Sequence, residues 1–316
     1  MRHAALAFAL LAALPAAASS ARAQTFPDKP VQLTITTTVG GAVDVFGRAL
    51  AEGMSKFLGQ TVVATNRDGA SNTLGAGYVA QQKPDGYNIG FTAAGPFVSQ
   101  PYLRTLPFKP ADFDYICQAF ELQIVLAVRP DSPIKTIKDL IEAARTTPGG
   151  LSIAGTGPAS IPHIALSQLE QIEKVKFNHV NFRGDGAILP DLLGGHVPVG
   201  AMGLGTVGNQ PLRLLATFAR ERLPTHPDLP TMKELGYPLV KRGMIGLFAP
   251  KGLEPAVLAK LEAACKAGVE SEAFKTVGAK MNQPAGYLSG KDWQVFLDQD
   301  ARENKEVIER LGLKQE

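Results

Sequence analysis

Residues suited to holding an anion outnumber residues suited to breaking a bond in this 316-residue chain. No GxSxG elbow and no HExxH motif occur. No GxxxxGK[ST] loop is present either, which argues against a nucleotide triphosphate cradle. Beyond position 24 the histidines are His163, His179, His196 and His226, and none has a partner at metal-ligand spacing. What recurs is a strand-like run that ends at glycine among small donors. The four loops are Thr38-Val39-Gly40-Gly41, Gly69-Ala70-Ser71-Asn72, Gly155-Thr156-Gly157 and Arg183-Gly184. Three of them lead directly into a helical pattern. Free N–H groups at a helix start point outward and carry the positive end of the dipole, so such junctions bind anions. Glycine lets backbone approach a ligand closely, and Ser, Thr and Asn add donors. Glycine also serves plain strand-to-helix turns, but four such loops in one chain favour an anion site over tight turning alone.

Single residues sharpen or weaken that reading. Asp44 stands in the first turn of its helix, where a carboxylate suits the dipole, and there it also orders the Gly40-Gly41 loop. His163 opens the helix after "GTGPASIP" and either bonds a neighbouring loop or touches a ligand. Phe182 beside Arg183-Gly184 makes an apolar wall for a carbon chain or ring. Arg183 meets a ligand carboxylate or pairs with Asp185 at the surface. A GxGxxG does occur, Gly203-Leu204-Gly205-Thr206-Val207-Gly208, but Pro211 falls where a dinucleotide-binding helix has to run.

The elements that carry these loops alternate between strand-like runs and amphipathic helices, which indicates an α/β fold with largely parallel sheets. "VQLTITTT" feeds a helix over 43–57 with Val43, Phe46, Leu50, Met54 and Phe57 on one face. "QTVVATN" feeds the helical "TLGAGYVAQQ". Thr136 with Asp139, and Ser289 with Asp292, read as helix-opening capping pairs. Two helices are expected after "MIGLFAPKG". In open sheets of this kind, ligands bind outside the carboxyl ends of strands, where the glycine loops lie.

Residues 1–24, with Arg2 and His3, an apolar run from Ala4 to Ala18 and Ala21-x-Ala23, read as a signal peptide cleaved after Ala23. No Cys follows the cleavage point, so no lipid anchor is expected. With Arg2 and Arg22 removed the formal charge falls from +3 to +1, which argues against a nucleic-acid partner. The mature length suits two domains. Cys117 lies in an apolar strand-like run and Cys265 on an apolar helix face; two separately buried thiols are the expectation, with pairing left open.

Taken together, "PDKPVQL…GGAVDVFGRALAEGMSKFLGQTVVATNRDGASNTLGA", "KPDGYNIGF", "ARERLPTHPDLPTMKELGYP" and "GLFAPKGLEPAVLAKL" resemble the Bug-type periplasmic solute receptors of tripartite tricarboxylate transporters. The resemblance runs in order from about Phe26 to the end. It implies a two-lobed Venus-flytrap fold, with 26–122 and 246–316 as lobe 1, 123–245 as lobe 2, and the ligand cleft between them. It implies a small organic carboxylate gripped by Val39 to Gly41, Ala70 to Asn72, Thr92, Ala93 and Ala94, Thr156 and Gly157, and Phe182 to Gly184, partly through bridging waters. It implies a periplasmic location, membrane permease subunits as partners, no cofactor, no metal and no catalysis. A monomer is expected, since closure needs free lobes.

Departures from the family pattern bear on the ligand. Val39 replaces the usual Pro, Ser71 and Asn72 stand where Gly-Gly is usual, and Asp185 where a small residue is common. Many members end the "GGHVPVGAMG" strand with an Asp, whereas this chain has Met202-Gly203-Leu204. Without that acid an amino-acid ligand is disfavoured, and the space at Gly203 and Leu204 suits a longer dicarboxylate or an aromatic acid. Two other readings exist: a carboxylate sensor subunit feeding a membrane kinase, and an exported dinucleotide-binding enzyme.

Overall fold

The structure, a computed structural model, describes residues 26–158, 160–241, 243–281, 283, 285–310 and 312–314. The signal read at residues 1–24 lies outside the described residues. The described strands are β1 (Val31–Ile35), β2 (Val62–Asn66), β3 (Asn88–Ala93), β4 (Phe113–Leu122), β5 (Ile124–Val128) and β6 (Leu151–Gly155), followed by β7 (Phe177–Asn181), β8 (Val199–Gly203), β9 (Arg213–Thr217), β10 (Gly243–Pro250) and β11 (Ala285–Ser289). They form a six-stranded sheet in the order β11-β4-β10-β3-β1-β2 and a five-stranded sheet in the order β7-β6-β8-β5-β9. The two sheets, each flanked by helices, make the two-lobed α/β architecture that the resemblance implies.

The sheets are mixed rather than largely parallel. β1 pairs parallel with β2 and β3, and β6 with β7 and β8, but every pairing made by β4, β5 and β10 is antiparallel. The reason is connectivity: these three strands carry the chain between the sheets. β4 runs through Gln123 straight into β5, and β10 re-enters the first sheet with Gly243 opposite Leu122. A Cβ at Gly243 would lie 2.5 Å from the Leu122 carbonyl oxygen, so the two crossing segments approach too closely for any other residue.

The Ala42–Leu58 helix forms because its apolar residues recur at helical spacing; Phe46, Leu50 and Met54 are fully buried on the first sheet. Phe46 stacks on Phe120 at 4.2 Å between ring centres and tilts against Phe274 at 4.9 Å. Phe57, placed on the same face by spacing, is instead 45% exposed at its edge, under Lys260. Both capping pairs are present: Asp139 N–H donates to Thr136 Oγ1 (3.1 Å) and Asp292 N–H to Ser289 Oγ (3.2 Å).

Two expectations are corrected here. Among the described residues three helices follow β10, not two: Pro255–Val269, Glu272–Lys280 and Gly290–Arg310. Ser271 ends continuity by capping Phe274 N–H (3.3 Å), and β11 interposes as an edge strand on β4. Cys117 and Cys265 are not separate thiols but a disulfide across 148 residues, with Cα atoms 6.6 Å apart. β4 carries Cys117 against the inner face of the Pro255–Val269 helix, which carries Cys265, and both are fully buried. Spacing along the chain carries no trace of that packing.

Candidate functional site

The carboxyl ends of β1, β2 and β3 in one sheet and of β6 and β7 in the other open toward a shared cleft. Four helices begin there: Ala42–Leu58, Thr73–Ala80, Ile161–Glu173 and Asp185–Leu193. Three of the four have no side-chain hydrogen bond at the N-cap, namely those capped by Gly41, Asn72 and Gly184. Helix starts without caps leave donors for something else to satisfy. Loops from both sheets enclose a cavity of about 70 Å³; at about 10–15 Å³ per water on this measure it holds several waters, or one small organic molecule.

Two threonines supply the sharpest feature of the lining. The hydroxyls of Thr37 and Thr38 are buried with no hydrogen-bond partner among the described residues, and both residues line the cavity. A buried polar atom without a partner is costly, so such atoms mark a place where a ligand or water completes the set. Their loop is held from behind. Asp44, 3% exposed, accepts from Gly40 N–H (3.0 Å), Asn66 Nδ2 (2.9 Å) and Arg48 Nε (3.0 Å). Burial acts to raise the Asp44 pKa, but these donated bonds outweigh it and hold the carboxyl below its ordinary value. Asn66 also donates to the Thr37 carbonyl at 2.9 Å, so the loop is fixed on both sides.

The opposite loop is pre-shaped by strain. Ala70, Ser71 and Asn72 all have positive φ (48°, 54° and 71°), a conformation that costs a non-glycine residue about 1–2 kcal/mol. Arg104 stabilises it by donating through Nη2 to the Ala70 carbonyl (2.6 Å), and Thr73 Oγ1 donates to the same oxygen (2.7 Å). Ser71 and Asn72 then face the cavity with hydroxyl and amide. Across the cleft Gln100 Nε2 donates to the Pro158 carbonyl (2.7 Å) and Ser71 Oγ to the same carbonyl (3.4 Å). A Cβ at Gly184 would come within 2.5 Å of Thr38 Oγ1, and one at Gly157 within 2.9 Å of Ser71 Oγ. The lobes therefore meet with glycine against hydroxyl.

Of the residues singled out by sequence, the cavity gathers Thr38, Gly41, Ser71, Asn72, Ala93, Thr156, Arg183 and Gly184. Others support it from outside the lining. Val39 is 69% exposed at the loop tip, Gly40 bonds Asp44, and Ala70 holds the strained turn. Thr92 is buried, accepting from Thr36 Oγ1 at 2.6 Å, and Ala94 N–H bonds the Met244 carbonyl (2.9 Å).

Four placements differ from expectation. Phe182 packs against the core of the second sheet rather than walling the cavity. His163 turns to His179, with ring centres 4.6 Å apart. Burial and the neighbouring imidazole push its pKa down to about 4, against the opposing pull of Glu170. Gly203 leaves no space, because a Cβ there would lie 2.6 Å from Leu122 Cδ1 and 2.8 Å from Asp185 Oδ2. Leu204 is core, and the GxGxxG continues only as the four-residue helix Leu204–Val207, whose Thr206 Oγ1 accepts from Ala42 N–H (3.3 Å).

Sequence reasoning also missed lining residues. Thr37 adjoins a loop already chosen, and Ser160 is recognisable as an N-cap, accepting from His163 N–H at 3.4 Å. Leu122, Ile124 and Gln100 carry no local signal, since the crossing strands and the opposite helix bring them in. Asp185 is the important omission. It lines the cavity, its Oδ2 accepts from Gly203 N–H at 2.7 Å, and it forms no ion pair with Arg183 among the described residues. Burial raises its pKa to about 6 despite that bond. The acid-free surroundings expected around Gly203 are thus not what the fold builds.

Two sheets joined by crossing strands, with helix starts converging on the cavity between them, define a two-lobed solute-binding protein. The sequence profile described as "Tripartite tricarboxylate transporter family receptor" matches residues 46–313, and the chain belongs to that family. A Cupriavidus necator relative, the UPF0065 protein in the gbd 5' region, is 34% identical over 310 residues, covering 96% of this chain and 93% of the relative. The structure of the periplasmic binding protein BugD superposes with a TM-score of 0.85 at 28% identity, covering 92% of this chain and all (100%) of BugD. MatC from Rhodopseudomonas palustris with bound malate superposes at 0.82 with 25% identity, covering 90% of this chain and 100% of MatC. These neighbours are binding proteins rather than enzymes. No described helix is long and apolar enough to cross a membrane.

Proposed function

We propose that this protein is a periplasmic receptor that captures a small organic carboxylate between its lobes and delivers it to membrane permease subunits. The lobes are residues 26–122 with the chain from Gly243 onward, and 123–241; the return point falls earlier than the expected 246 because Gly243, Met244 and Ile245 already pair with β4. The observation that carries the reading is the pair of partnerless hydroxyls on Thr37 and Thr38, facing a cavity onto which uncapped helix starts converge. A carboxylate satisfies both hydroxyls and the helix N–H groups at once, and charge-assisted bonds of this kind are the stronger ones. Val43, Leu122 and Ile124 supply an apolar stretch for the hydrocarbon body of the acid. The malate held by MatC supports the same ligand class. Contacts from both lobes favour the closed form only through the ligand's greater affinity for it.

The test is a thermal-shift screen of signal-free protein, unfolded and refolded to remove any carried ligand. Aliphatic dicarboxylates, tricarboxylates, aromatic acids and amino acids form the panel, with NAD as the control for a dinucleotide site. A carboxylate that binds the folded form alone raises the melting temperature in proportion to its concentration over Kd. Silence across every acid after refolding would refute the receptor reading.

A further inference from the structure

Among the side chains that line the cavity one is basic, Arg183, and one is acidic, Asp185. The remainder are small, apolar or neutral donors, so the polarity of the cavity is uneven. Donors gather around Thr37, Thr38, Ser71 and Asn72. Asp185 brings the acidic side chain of the lining from the second lobe, where its helix starts. Only one of its oxygens is occupied: Oδ2 takes the Gly203 N–H, and Oδ1 has no hydrogen-bond partner among the described residues. The position is held firmly, since the side chain fills the volume a Cβ at Gly203 would need.

We infer that Asp185 is the specificity-determining residue of the cleft and selects an aminocarboxylate, whose carboxylate docks by Thr37 and Thr38 and whose ammonium meets Asp185 Oδ1. The inference rests on the carboxylate-receptor reading and narrows it. A ligand with a second carboxylate would place like charges together beside Asp185, which is unfavourable unless a proton is taken up. An ammonium instead satisfies the free oxygen and neutralises the buried charge. The raised pKa of Asp185 agrees, since burial disfavours its charged form and an ammonium beside it would favour that form again.

The experiment is calorimetry on refolded protein with pairs of ligands equal in methylene count: β-alanine with succinate, 4-aminobutyrate with glutarate, and 5-aminovalerate with adipate. For the best-fitting length, the amino member is expected to bind at least about tenfold tighter than its dicarboxylate. Asp185→Asn is expected to remove that advantage; Asp185→Ser serves if the first variant does not fold. Tighter binding of the dicarboxylate by the wild type, or an unchanged preference in both variants, overturns the inference and leaves the receptor reading standing. If no member of either series binds, the inference fails, and the receptor reading fails with it only when the whole acid panel is silent too.

Discussion

Breaking the Cys117–Cys265 link tests how the two sheets depend on each other. The bond closes a loop of 148 residues that contains every strand of the second sheet. Treated as a flexible chain, a loop of that size loses closure entropy equivalent to about 5 kcal/mol at room temperature. The figure assumes that the whole loop is disordered in the unfolded state. If the second sheet outlasts the first during denaturation, the effective loop shortens and the loss falls toward about 3 kcal/mol, since closure entropy varies only logarithmically with length. Substituting the cysteines would also remove packed sulfur, because both residues are fully buried in one cluster. The cleaner perturbation is to unfold, reduce and refold the chain as the dithiol, which keeps every atom of the core except the bond. Guanidinium titrations of the two forms, followed by the Trp293 signal and by far-ultraviolet dichroism, give the difference in stability and in slope. A loss of about 3–5 kcal/mol is expected, with a steeper denaturant slope for the more expanded unfolded dithiol. A difference below about 1 kcal/mol would mean that the unfolded chain is already compact, and would refute the loop-entropy account.

Three further outcomes follow from the site. Thr38→Val removes a hydroxyl that is orphaned without ligand, so carboxylate affinity should fall by about 10-fold or more while thermal stability holds or rises; calorimetry and melting of the same sample decide it. His163 has a folded pKa of about 4, below its ordinary 6.5, so the unfolded chain binds the extra proton first. Its contribution to stability is complete above about pH 6.5 and is lost as pH falls toward 4, by an amount of order 3 kcal/mol, and His163→Gln should flatten the melting curve across that window. Asp44, with its pKa below the model-peptide value of 3.8, contributes stability above that value and loses it as pH falls through the folded pKa. Asp44→Asn turns an amide donor toward Asn66 and should cost about 1–3 kcal/mol at neutral pH, with the difference vanishing in acid titrations below the folded pKa.

Local physics was sufficient for much of this protein. Hydrophobic spacing placed a helix over 43–57, one residue short at each end of Ala42–Leu58, Thr136 with Asp139 marked a cap, and glycine after an apolar run located the loops that the fold brings to one cavity. Each of these is decided within a few residues, by side-chain period, by capping or by backbone freedom, and so leaves a mark in the sequence. Other features depend on partners far along the chain and leave none. Cys117 meets Cys265 because a strand packs on a helix, and the crossing strands run antiparallel because the chain must pass between sheets and return. Asp185 looked like a surface neighbour of Arg183, but the close approach of Gly203 turns it into the acidic wall of the cavity. Gly203, read as open space, is where Leu122 and Asp185 converge. Sequence alone thus determined which loops could hold an anion. Tertiary packing decided which of their side chains face it and where the opposing charge stands, because burial and electrostatic contact are set by distance in space.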